Sequence, residues 1–206
     1  MTDDKMKTIA ARIARDESIA STAGDYRDYT GEIKYGGSSG KVAGASFVLG
    51  ESGIEWFDGI WLEGVWKTGV WKGGSWKSGT WLGGTWEKGV WCYGIWKPED
   101  GRKSSWKCGT WKLGSWYDGT WENGVWKYGF WKNGLWEKGR WESGAWNDGV
   151  WRAGEHDGGE WYGGKWEGGK WNDGIWMGDN SKWLGGEWKT GVDRHRGKHS
   201  TPPSEW

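Results

Sequence analysis

From residue 54 onward a tryptophan returns every fifth position, with glycine two places before it and mostly polar residues in the two places after it. Between Trp56 and Trp176 the register never slips, and only positions 101 and 156 lack the indole. Of the 25 tryptophans before Trp206, 23 have Gly at the third following place, the exceptions being Glu99 and Asp179. The unit is Gly-x-Trp-x-x. A period of five drifts out of phase with both the helical 3.6 and the strand period of 2. Glycine at every fifth position also costs a helix roughly 1 kcal/mol each relative to alanine. The pattern therefore predicts three extended residues and a two-residue bend, repeated and stacked, because so short a unit is stable only against its neighbours.

In an extended Gly-x-Trp, the first and third residues share one face and the middle residue takes the other. Seven of the 25 middle positions are charged: Glu55, Arg140, Glu160, Lys165, Lys170, Lys182 and Glu187. That face meets water, so tryptophan and glycine point inward, the small residue leaving room for the large one. After Trp, 15 of 25 residues are Lys, Arg or Glu, and turn formers (Gly, Asn, Asp, Ser) crowd the next place. Each unit thus turns a corner in solvent.

With Gly in the small slot and Trp in the central one, from Gly59-Ile60-Trp61 to Gly174-Ile175-Trp176, the array resembles the pentapeptide-repeat proteins. It departs from them in lacking the usual Asp or Asn before the central residue and in using Trp throughout. The resemblance implies an all-β fold, a right-handed quadrilateral β-solenoid with four units per coil. On that basis residues 54–191 make about seven coils, roughly 33 Å long at the spacing of paired strands. Residues 20 apart then stack, giving a core ladder of Trp56, Trp76, Trp96, Trp116, Trp136, His156 and Trp176, whose buried N–H groups need backbone carbonyls or internal waters. An outer strip of Val70, Val90, Thr110, Phe130 and Val150, bordered by Lys72, Lys112, Lys132 and Arg152, becomes a candidate subunit interface. The alternative for that strip is β-branched residues that merely suit an exposed strand.

The ends differ in kind. Residues 1–20 carry Met6, Ile9, Ala10 and Ile13 on one helical stripe behind Thr2, predicting a short N-terminal amphipathic α-helix. Met6, Ile9 and Ile13 are candidate contacts for a partner, with folding back on the solenoid end as the alternative. Residues 21–41 read as a flexible linker. The apolar run Val42 to Leu49 reads as the first strand and part of a cap spanning 42–53. The seven-residue interval from Trp176 to Trp183 places a two-residue insertion in a corner near Gly178 to Ser181. Residues 192–206 read as a basic tail.

Charge and chemistry then narrow the functional classes. Twenty-eight basic and 28 acidic side chains cancel, so bulk charge implies neither nucleic acid nor an anionic membrane. No apolar run approaches a membrane span and no signal peptide is visible. His195 and His199 sit in the tail, and His156 beside Asp157 occupies a Trp slot, so a polar core substitute is favoured over an acid–base pair. Glycine spacing that recurs everywhere marks no phosphate loop. Cys92 and Cys108 fall on turn positions that do not meet, so no disulfide is expected and a reducing compartment is implied. No enzyme, cofactor or metal site is expected.

What remains is a structural or adhesive component of a larger assembly. Its partners would be other protein subunits, as a homo-oligomer or within a hetero-assembly, in a virion or alternatively in the cytoplasm. The chain is similar in style to Gly/Trp tandem-repeat proteins of tailed bacteriophages, which implies a fibre, tail or capsid-decoration protein. A carbohydrate-binding module with exposed Trp, engaging a cell-surface glycan, is the alternative. A DNA-mimic topoisomerase modulator would need a strongly negative rod, and ice binding an aligned threonine face; neither pattern is present.

Overall fold

A computed structural model describes residues 19–99, 104–193 and 197–203. Each repeat is a strand of two or three residues ending on Trp, such as Val125–Trp126 and Arg140–Trp141. Strands pair in parallel with the unit fifteen residues on: Val125 with Arg140, Trp126 with Trp141. Three units therefore complete one coil of a parallel β-solenoid, and the four-unit, quadrilateral coil is corrected to a three-sided one. Two backbone bonds tie each unit to the coil below, as when the Val125 N–H donates to Gly109 O at 2.9 Å and the Lys127 N–H to Trp111 O at 2.8 Å.

The core is three columns of aromatic rings. The first face stacks Trp56, Trp71, Trp86, Trp106, Trp121, Trp136, Trp151, Trp166 and Trp183. The second face runs from Trp61 through Trp111, Trp126, Trp141, His156 and Trp171 to Trp188. The third runs from Trp66 through Trp96, Trp116 and Trp131 to Trp176, where Asp193 closes it. Nine levels replace the expected seven, a rod about 40 Å long at the spacing of paired strands.

Ring packing explains why three units suffice. Within a column, Trp111 lies over Trp126 with centroids 4.8 Å apart and planes 6° from parallel. Along the coil, Trp106 meets Trp111 at 6.0 Å and Trp111 meets Trp116 at 6.1 Å, both edge to face. Both are favourable aromatic geometries, worth about 0.5–1.5 kcal/mol per pair beyond the area buried. Three indoles fill the cross-section, whereas four around a wider square would leave an axial void without dispersion contacts.

Glycine is required by geometry rather than by room for the indole alone. Gly129 has φ 134°. A Cβ there would lie 2.3 Å from the carbonyl oxygen of Gly114, its counterpart one coil earlier. The corner glycines thus form their own column, each backbone resting on the last.

Two caps close the ends. Strands Gly24–Tyr35 and Ser38–Gly50 pair antiparallel, and the second pairs antiparallel with Gly53–Trp66, which becomes the first coil. The expected linker over 21–41 is therefore largely strand, because Ile33 and Val42 bury their side chains in the cap. Phe47 stacks on Trp56 at 5.7 Å and Tyr26 on Phe47 at 4.8 Å, so the cap extends the first aromatic column. Ile19–Ala20 is a strand paired with Glu32–Ile33, which corrects the end of the expected 1–20 helix. Met6, Ala10, Ile9 and Ile13 lie outside the described residues.

At the far end, Gly191–Asp193 continues the third face and pairs antiparallel with Gly197–His199. Part of the expected tail is thus a pair of capping strands, and Trp188 Nε1 donates to His199 O at 3.3 Å. The two extra residues after Trp176 fall opposite Tyr162, where the pairing steps from Trp161–Trp176 to Gly163–Asn180, at the corner expected.

Candidate functional surfaces

The fifteen-residue coil redistributes the residues singled out by a twenty-residue one. Of the expected core ladder, Trp56 and Trp136 stand on the first face, Trp76 and His156 on the second, and Trp96, Trp116 and Trp176 on the third. All seven are buried, yet only Trp96 and Trp116 are successive members of one column. The expected apolar strip is likewise dismantled. Val70 and Val150 belong to the first face, Val90 and Thr110 to the second, and Phe130 to the third. The strip rested on a 20-residue stacking distance that holds only where one unit is extra to the coil.

That unit lies between Trp96 and Trp106. Trp86 pairs with Trp106, Trp91 with Trp111 and Trp96 with Trp116, each twenty residues on. Ser104 takes the glycine slot beside the loop, its Oγ accepting from Trp81 Nε1 at 3.1 Å and donating to Gly84 O at 3.3 Å. Pro98, Ser104, Asp118 and Glu122 help line a cavity of about 530 Å³ there.

His156 is the one imidazole in the columns. It stacks on Trp171 at 4.0 Å and lies 6.1 Å from Trp141, with Nδ1 3.2 Å from Asp173 O. Burial strips its solvation and lowers its pKa to about 3, so it stays neutral in the fold. Asp157 points the other way, bonding Arg140 Nε at 2.6 Å and Asn172 Nδ2 at 2.8 Å. The imidazole and carboxylate do not form an acid–base pair. Trp136 and Trp141 donate, as His156 approaches, to the carbonyl seventeen residues on. Other buried indole nitrogens, Trp126 and Trp131 among them, have no partner within hydrogen-bond distance.

Cys92 and Cys108 are both free thiols. Among the described residues no group of three His, Cys, Asp or Glu is placed to hold a metal, and no helix is long and apolar enough to cross a membrane. His195 lies outside the described residues.

Exposed apolar side chains are not evenly spread. Tyr93 and Ile95, Leu113 and Tyr117, and Tyr128 and Phe130 occupy three successive coils on the third face and the corners at its two edges. Tyr128 and Phe130 are 54% and 51% exposed. Lysines border the cluster: Lys97 Nζ sits 5.5 Å from the Tyr117 ring centroid and Lys132 Nζ 6.0 Å from that of Phe130. Phe130 alone of these was flagged from sequence. The others were missed because a uniform twenty-residue coil parts Tyr128 and Phe130 from the level of Leu113 and Tyr117. The signal available was the joint loss of Gly at 99 and Trp at 101, which marks a unit extra to the fifteen-residue coil.

No family model matches the chain, and neither a curated protein nor a solved structure matches it.

Proposed function

We propose that this chain is a non-enzymatic structural and adhesive component of a larger assembly, a stiff spacer whose outer faces make the contacts. The observation that carries this reading is the uninterrupted triple column of rings, buried from Trp56 to Trp171, closed by strands at both ends. Such a core resists bending, because each coil is fixed to its neighbours by ring stacking and backbone bonds at every unit. Outward positions carry Val, Thr, Ser, Leu and charged side chains, a surface suited to contact with other subunits. The assembly we favour is a bacteriophage virion, on the similarity of the repeat to Gly/Trp arrays of tailed phages. A lectin built on exposed Trp would need indoles in water, and these rings are interior.

The test is sedimentation of a lysate of the source on a density gradient, with the chain located by mass spectrometry. Co-migration with particles supports the reading; recovery only among free proteins overturns it.

A further inference from the structure

Tyr93, Leu113 and Tyr128 stand in register at one corner, Ile95 and Phe130 flank Ser115 on the adjoining third face, and Tyr117 lies at that face's far edge between Lys97 and Lys132, a strip of aromatic and aliphatic side chains across three coils. At these three levels the segments 93–97, 113–117 and 128–132 contain no Asp or Glu. Cations flank both edges, Lys97 and Lys132 on one side and Lys112 and Lys127 on the other. Lys127 Nζ is 3.6 Å from Glu142 Oε2, whereas Lys97, Lys112 and Lys132 form no ion pair among the described residues.

We propose that this strip binds an acidic polysaccharide, a chain of sugar rings bearing carboxylates. The proposal rests on the adhesive reading and names its ligand. Size decides against a folded partner. Three coils by five extended residues cover on the order of 200 Å², well short of the ~800 Å² per partner that a stable protein interface or a second copy needs. A narrow chain fits that footprint, and the strip lies along the side of the rod, so a polymer can run past it in either direction.

Chemistry decides among chains. Sugar rings present apolar C–H faces that pack on phenol and phenyl rings, and their carboxylates pair with ammonium groups at the edge. Lys97 and Lys132 are two coils apart, about 10 Å along the rod, a separation that matches carboxylates two sugar rings apart. A nucleic acid strand in a duplex carries a charge about every 3.4 Å and would leave most phosphates unmatched here. The zero formal charge of the chain adds no long-range field to compensate.

The experiment is affinity electrophoresis of the full chain through gels containing polygalacturonate, with neutral hydroxyethylcellulose and oligo-dT in parallel. Polygalacturonate should retard the chain, less so as salt rises, and the neutral polymer much less. The double variants Tyr128→Ala/Phe130→Ala and Lys97→Ser/Lys132→Ser should each weaken retardation by about tenfold or more, with unchanged circular dichroism. Tyr162→Ala, an exposed aromatic elsewhere, should leave it unchanged. Three results would overturn the proposal: no retardation by polygalacturonate, equal retardation of the strip variants, or stronger retardation by oligo-dT that those variants abolish. Loss of a dimer in light scattering on changing the strip would likewise replace the glycan with a second copy. A chain that ignores polygalacturonate yet sediments with particles sinks this strip and leaves the spacer reading intact.

Discussion

Trp96 and Trp116 stack with centroids 4.6 Å apart and planes 8° from parallel, although twenty residues rather than fifteen separate them. One extra unit is inserted between Trp96 and Trp106, and the columns on either side close over it without loss of register.

Removing residues 97–101 should therefore be tolerated. The deletion brings Trp96 to within five positions of Trp106, with Arg102 and Lys103 at the bend and Ser104 in the small slot. The expected change in thermal midpoint is a few degrees at most, since no column loses a ring. A collapse of cooperative unfolding would show instead that the loop holds adjacent coils together.

The corner glycines separate two kinds of position. Gly129→Ala puts a Cβ 2.3 Å from the Gly114 carbonyl oxygen at a φ of 134°, and should cost about 3 kcal/mol or more in urea unfolding. Gly158→Ala, whose Cβ would meet nothing closer than Glu142 O at 3.5 Å, should cost less than about 1 kcal/mol. Equal costs would mean that the positive-φ corner does not govern the coil.

His156 makes stability depend on pH. Its folded pKa of about 3 lies below the ordinary 6.5, so in between the unfolded chain binds a proton that the folded chain excludes. The contribution of the neutral ring is fully present above about pH 6.5 and declines, by up to about 1.4 kcal/mol per pH unit, as pH falls toward 3. Carboxylates titrate across the same range, so the comparison is with His156→Trp. That variant should lose this slope and gain about 1–2 kcal/mol near neutral pH by restoring the column between Trp141 and Trp171. Parallel stability profiles for the two proteins would refute the assignment.

Tryptophan emission should be blue-shifted and largely insensitive to iodide, because the rings from Trp56 to Trp171 are closed to solvent. Partly exposed Trp183, near the C-terminal end, supplies a minor quenchable fraction. Uniform quenching would mean the rings face outward, and the rod would have to be abandoned.

Charged residues before Trp, with Gly two places ahead of it, were enough to assign inside and outside, since alternation along an extended segment leaves no other choice. Two gaps in the Trp register looked alike yet mean different things. At position 101 the preceding Gly is missing too, and the coils there pair at twenty residues instead of fifteen. At 156 Gly154 remains, and the core simply holds an imidazole. The glycine distinction was present in the sequence. The antiparallel cap over 24–50 was harder to see, because its strands carry bulges at Tyr26 to Gly31 and mix buried with solvent-facing positions irregularly.

The chain alone determined that a β-solenoid of five-residue units buries its tryptophans, because short-range alternation and turn chemistry are local properties of each unit. The number of units per coil is not local. It depends on how many indoles close around an axis without a void, and that is settled only when rings from units fifteen residues apart meet. With that number came the true neighbours on the outside, and so the strip from Tyr93 to Phe130, in which a uniform twenty-residue spacing would part Tyr128 and Phe130 from Tyr93, Ile95 and Leu113.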